Sequence, residues 1–185
     1  KPSSNRRPPL DEAGLRDLAL RYVGRYATSR HRLVDYLIRK LKERGWGDEA
    51  APDPEGIAAH FVELGYVDDR EFARMRADGL MRRGYGPNRV EQSLRAAGID
   101  EADREAVKPQ DESETVRAAM RFAERKRIGP FAGTPADRDK RQKQLQARIR
   151  AGHGFGIAKL LVFADSLDDI DLIDNGARVI DSDDG

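Results

Sequence analysis

Apolar residues along this chain recur at intervals of three and four and seldom alternate. Leu15, Leu18, Ala19, Tyr22 and Tyr26 place one stripe on a helix from about Leu10 to Arg25. Leu33, Tyr36, Leu37 and Leu41 make a second, entered through Thr28-Ser29 and closed at Gly45. Behind the loop GDEAAPDP, Pro54 suits the first turn of a third helix, which carries Ile57, Phe61 and Leu64 and stops at Gly65. Asp68 and Asp69 can cap a fourth, with Phe72, Arg76 and Leu80, up to Gly84. Pro87 starts a fifth with Val90, Leu94 and Ala97, ended by Gly98, and a short sixth covers about Asp100 to Val107. Past Lys108-Pro109, a seventh carries Val116, Ala119, Met120 and Ala123. IGPFAGTP reads as a loop whose Thr134-Pro135 opens an eighth helix with Leu145 and Ile149. Gly156 opens a ninth, with Ile157, Leu160, Leu161 and Ala164. No segment alternates at period two over the length of a strand, so the pattern predicts an all-α chain.

The helices also repeat. GYGPNRVEQSL returns as GFGIAKLLVFA, pairing Tyr85 with Phe155, Gly86 with Gly156, Val90 with Leu160 and Leu94 with Ala164. Asp69 and Met75 pair with Asp139 and Leu145 in the same register, and Ser29, Leu33 and Leu37 form a weaker earlier copy. About nine helices in three triplets is the economical description, and units this small are expected to stack into an elongated curved array of tandem three-helix repeats. The expected division is a disordered basic segment over 1–9, repeats over 10–66, 67–108 and 109–164, and an acidic tail over 165–185. Gly84, Tyr85, Gly86 and Pro87, with Gly154, Phe155 and Gly156, then read as joints where one helix stops and the next leaves sharply. Trp46, Tyr66, Tyr85 and Phe155 each follow a glycine at a helix end. That shared slot favours core anchoring over base stacking.

Composition narrows the function. At 38% hydrophobic and 36% charged residues, the 185-residue chain suits thin cores with wide solvated faces better than one thick core. It has no cysteine, which excludes disulfides, thiolate catalysis and cysteine-held zinc. No apolar run approaches the roughly 20 residues that span a bilayer. The polar, basic opening KPSSNRRPPL carries no signal-peptide pattern, so a cytoplasmic protein is expected. Lys1 in place of Met suggests a natural start further upstream. The net charge of +1 conceals an asymmetry. Residues 165–185 hold eight Asp against Arg178, which leaves 33 basic and 25 acidic residues in the body. A basic body points to a polyanionic partner or an acidic protein surface.

Enzymatic readings find little support. GHGFGIAKL, with Lys159, looks like a phosphate loop but follows a basic helix where such loops need a strand. His31, His60 and His153 have no ligand spacing and read as surface or boundary residues, with no metal or cofactor expected. Asp68-Asp69 reads as a cap, and Ser29 and Ser93 lack a base. The candidate contacts are basic: Arg39, Lys40 and Arg44 on the second helix, Arg74, Arg76, Arg82 and Arg83 on the fourth, Arg89 and Arg95 on the fifth, Arg148 and Arg150 on the eighth. Single positions of this kind are ordinary solvated surface, and their recurrence in successive triplets is what raises them.

GYVDDREFARMRADGLMRRGYGPNRVEQSLRAAGI resembles the central repeat of the RecX regulatory proteins, with its Gly-Tyr-Val-Asp-Asp, Phe-Ala, basic helix and Gly-x-Gly-Pro. The first triplet is similar through Ser29, Leu33, Leu37, Leu41 and Arg44-Gly45-Trp46. The third is looser, carried by Asp139, Lys140, Gly154-Phe155 and Ile157. Arg32 before Leu33 departs from the family's acidic-leucine pair, and the acidic tail lies outside its pattern. The resemblance implies a non-enzymatic, monomeric modulator that binds RecA or RecA filaments on single-stranded DNA, with weak direct DNA contact at most. Such a protein mainly inhibits recombinase, ATPase and co-protease activity, and so affects recombination, DNA repair and the SOS response. The competing expectation is a stand-alone DNA-binding protein of helix-turn-helix-like units.

Overall fold

The computed structural model describes residues 8–134, 136–164 and 166. Among the described residues lie nine α-helices, one short 3-10 turn and no strand. The helices are α1 Glu12–Val23, α2 Arg30–Arg44, α3 Pro54–Glu63, α4 Asp69–Arg82, α5 Pro87–Arg95, α6 Glu101–Ala106, α7 Glu112–Lys126, α8 Arg138–Arg150 and α9 Phe155–Phe163. Most of the expected basic segment and nearly all of the acidic tail lie outside the described residues.

The chain forms two compact units. Of the described residues, the first comprises those up to 74 and from 95 to 103, the second those from 75 to 94 and from 104 onward. α4, α5 and α6 therefore contribute residues to both.

Each helix of the first unit opens on a side-chain cap. Asp11 accepts from Gly14 N–H at 2.7 Å, Asp53 from Gly56 N–H at 2.8 Å and Ser29 from Arg32 N–H at 3.3 Å. Their apolar stripes meet in a core of Leu10, Leu15, Ala19, Leu33, Leu37, Ile57 and Phe61, with Tyr22, Tyr36 and Trp46 packed against it. Burying each large aliphatic side chain contributes about 1.5–3 kcal/mol. The Ser29 hydroxyl also donates to Ala97 O at 2.5 Å, tying α2 to the end of the α5 segment.

In the second unit α7 buries Val116, Ala118, Ala119, Phe122 and Ala123, at the three-and-four spacing of one face. Phe122 and Ala123 meet Ile128, Leu145, Ala158 and Val162, with Tyr85 packed against them. α8 is polar along nearly its whole length and buries only Leu145 and Arg148.

The repeat is real, but its register differs from the one that aromatic matching suggested. Gly84 N–H bonds Met81 O and Tyr85 N–H bonds Leu80 O. Gly152 N–H bonds Ile149 O and His153 N–H bonds Arg148 O. Both corners are Schellman closures, and corresponding residues are 68 apart, Tyr85 with His153. Val90 N–H to Gly86 O and Ala158 N–H to Gly154 O extend the same register into the following helices. His153 thus occupies the place of Tyr85, and Arg148 that of Leu80. Phe155 begins α9 and is 60% exposed, so it does not plug a core; Tyr66, at 57%, does not either. Ile149 is exposed as well, and the cap of α8 is Asp137 rather than Thr134-Pro135.

The two corners lock together backbone to backbone. Gly86 N–H donates to Ala151 O at 2.9 Å and Asn88 N–H to Gly152 O at 3.1 Å. A Cβ on Gly86 would lie 2.2 Å from Gly152 O, and one on Gly152, whose φ is +91°, 2.3 Å from Arg89 N. Only glycine fits both positions.

Candidate functional site

With its apolar face turned inward, α7 leaves Arg117, Arg121 and Arg125 exposed on a second stripe, one turn apart and rising about 6 Å per step. Asp111 caps the helix, accepting from Glu114 N–H at 2.9 Å and Ser113 Oγ–H at 2.6 Å. These bonds, the serine first, hold its carboxyl below the ordinary range. The C-terminal end of α4 faces this stripe. Arg121 Nη2 donates to Met81 O at 3.1 Å, and Arg125 Nη1 donates to Arg83 O. Met81 O, in the last turn of α4, accepts from Arg121 in addition to Gly84 N–H, and Arg83 O lies just past the helix end, so the two guanidiniums cap the end of α4.

The result is a face that gathers Arg82, Arg83, Arg117, Arg121 and Arg125. Among the described residues none of the five forms an ion pair with a carboxylate. Ala77, Asp78, Met81, Arg82, Val107, Pro109, Glu114, Arg117 and Arg121 line a cleft within it. Asp78 and Glu114 offset part of the charge and the balance stays positive. Arginine presents several donors in a planar fork, so Arg121 and Arg125 can bond a carbonyl and still meet an anion. The arrangement suits phosphates or a carboxylate-rich surface.

The sequence-predicted candidates scatter beyond this face. Arg82 and Arg83 belong to it. Arg89 is exposed and bonds Gln92 Oε1 at 2.6 Å, and Arg150 is exposed at the end of α8. Arg76 is half-buried and donates to Ser93 Oγ at 2.9 Å, bracing α4 against α5. In the first unit Arg74 pairs with Glu71 at 3.2 Å, and Arg95 is exposed. Arg39 and Lys40 both approach Glu43, while Arg44 donates twice to Pro8 O and holds the chain entry. Arg148 is 0% exposed, so it cannot touch a partner as the sequence suggested. The sequence reading missed Arg117, Arg121 and Arg125. Their signal was the i, i+4, i+8 spacing opposite the Val116–Ala119–Ala123 stripe.

Arg148 and His153 form a buried basic pair in the second unit. Arg148 Nη2 donates to Ala119 O at 2.7 Å, and the guanidinium lies 5.8 Å from the Phe122 ring centre. Its Nε and Nη1 have no protein partner, and burial lowers its pKa to about 10. His153 is likewise buried, against the surface place its sequence suggested. Its Nε2 sits 3.1 Å from Gly84 O, which as a carbonyl must accept, so the proton is assigned to Nε2. Burial first and the charge of Arg148 second push its pKa down to about 4, against the bond to Gly84. It is neutral at pH 7.

Among the described residues no helix is long and apolar enough to cross a membrane. The family model described as "RecX, second three-helix domain" matches residues 68–107, the stretch that carries α4, α5 and α6. The regulatory protein RecX of Myxococcus xanthus is 34% identical over 160 residues, covering 80% of this chain and 83% of the relative. That of Halorhodospira halophila is 32% identical over 148 residues, covering 77% and 86%. The crystal structure of RecX from Lactobacillus salivarius superposes with a TM-score of 0.63 over 86% of this chain and 96% of that one. At 19% identity it speaks for the fold alone.

Proposed function

The chain belongs to the RecX family of regulatory proteins, and from that premise we propose that it binds the RecA recombinase, on its filaments with single-stranded DNA, and restrains their activity. Family membership carries this reading. The arginine face of α4 and α7 supports it by offering an anion-seeking surface of the kind a nucleoprotein filament or an acidic protein face would meet. In this reading the helices act as three three-helix units over 10–66, 67–108 and 109–164, and the protein works in the cytoplasm, where RecA acts. It binds without chemistry of its own. A protein that contacts the assembled filament and its dissociated protomers unequally shifts the balance between them by that difference in affinity.

The test is RecA-dependent ATP hydrolysis on single-stranded DNA, with and without the protein. Inhibition at stoichiometric amounts is the expected result, and an unchanged rate at stoichiometric excess removes the reading. If the chain were instead a stand-alone DNA-binding protein, it would bind duplex DNA tightly without RecA, with an affinity falling steeply as salt rises.

A further inference from the structure

The first unit carries a row of three tyrosines that the arginine face does not explain. Tyr22 lies on α1, Tyr26 one turn further along, just past the helix end, and Tyr36 on α2. The rings of Tyr22 and Tyr36 are stacked, with centres 4.2 Å apart and planes inclined by 15°. Tyr26 continues the row at 5.3 Å from Tyr22 and is 50% exposed. The inner two rings rest on the core of the unit, which fixes them, while the outer ring faces solvent. Three cations border the row. Arg25 Cζ is 5.5 Å from the Tyr26 centre, Arg39 Cζ 5.6 Å and Lys40 Nζ 5.8 Å from that of Tyr36.

Among the described residues Glu43 is the one carboxylate that engages these cations. It accepts from Lys40 at 2.5 Å and lies 3.9 Å from Arg39. Lys40 holds its carboxyl below the ordinary range, so it is ionised and competes for those cations. A nearby arginine, Arg21, is already paired with Asp17.

An apolar protein surface would have no use for the cations, and an acidic peptide none for the stacked rings. A single strand of nucleic acid supplies both planar bases and regularly spaced phosphates. We propose that Tyr22, Tyr26 and Tyr36 form a base-stacking platform for single-stranded nucleic acid. Tyr26 takes the outermost base, and Arg25, Arg39 and Lys40 take the adjoining phosphates. This contact is direct and needs no recombinase, so it stands or falls apart from the reading above.

The experiment is fluorescence anisotropy of a labelled oligothymidylate with the full chain at low salt and no RecA. Tyr26→Ala weakens binding roughly tenfold, and Tyr26→Phe, which keeps the ring, stays within about twofold of the parent. Glu43→Gln tightens binding by releasing two cations, a gain that a merely structural role for the row does not produce. An abasic strand of equal length binds the parent about as weakly as oligothymidylate binds Tyr26→Ala. Oligouridylate in parallel separates DNA from RNA as the source of the strand. Thermal melts of each variant verify folding, and Tyr26 is well placed for this because it lies beyond the helix and half in solvent. The proposal is overturned if folded Tyr26→Ala binds like the parent, or if abasic and thymidine strands bind alike. It is equally overturned if the parent binds polyglutamate as well as oligothymidylate, or binds no strand at all.

Discussion

The corner at Gly84-Tyr85-Gly86 and the corner at Gly152-His153-Gly154 close with the same pair of helix-end hydrogen bonds. Leu80 and Tyr85 fill the first, Arg148 and His153 the second. The Schellman closure needs only a residue at positive φ and a following N–H that reaches back, so it tolerates any side chain at the flanking places. Packing decides what those places can hold. α8 has little apolar surface to bury, and Arg148 supplies some through its methylene stem while bringing a guanidinium inside. Backbone geometry is the part shared by the two corners, and side-chain chemistry is where they diverge.

The comparison breaks most severely at its glycines. Gly86→Ala and Gly152→Ala each drive a methyl into backbone of the opposite corner, and each should cost about 3–5 kcal/mol, read by urea or thermal unfolding. Gly156, inside α9 with open space around it, is the control. Gly156→Ala should stabilise by about 0.5–1 kcal/mol, and an equal loss at all three would mean that the corners do not meet.

Acid should separate the corners next. His153 has a folded pKa of about 4 against 6.5 for the free side chain. Between these values the unfolded chain takes up a proton that the folded chain refuses. Stability is therefore full above pH 6.5 and falls as the pH is lowered towards 4, by about 3 kcal/mol from this residue. His153→Gln keeps a donor for Gly84 O but cannot titrate, and should remove that part of the slope. A slope unchanged in the variant would place His153 in water.

A smaller effect comes from making the second corner like the first. Arg148→Leu removes a buried charge with two unpaired nitrogens and restores the residue type of position 80, and should leave stability unchanged or raise it by about 1 kcal/mol. Arg148→Ala also leaves a cavity and should lose about 2 kcal/mol. If both variants lose equally, the guanidinium stabilises the corner through its bond to Ala119 O.

The helices were legible because their caps and stops are local. Ser29, Pro54 and Pro87 mark starts within the reach of one turn, and each lies where its pattern suggested, whereas the caps Asp11 and Asp53 emerge only in the structure. The register of the repeat was not legible. Matching Tyr85 to Phe155 joins two aromatics, whereas the chain matches Tyr85 to His153, and Leu80 to an arginine that no hydropathy pattern assigns to a core. The basic site was half legible. Arg82 and Arg83 stood out as a pair beside a helix stop, while Arg117, Arg121 and Arg125 were diluted among the acids of α7. What joins them to Arg82 and Arg83 is a pair of bonds to Met81 and Arg83 carbonyls, contacts across about 40 residues that no local pattern encodes.

The central claim is that the face of α4 and α7 acts on RecA filaments, and titrating RecA-dependent ATP hydrolysis on single-stranded DNA with parent protein and with Arg82→Glu/Arg117→Glu tests it most directly. Neither side chain braces the α4–α7 contact: among the described residues Arg82 has no partner, and Arg117 bonds only Ser113 on its own helix. The double variant should keep its helix content and melting temperature while its inhibition weakens at least about tenfold. Inhibition by the folded variant equal to that of the parent would contradict the assignment of this face, and no inhibition by the parent would contradict the function itself.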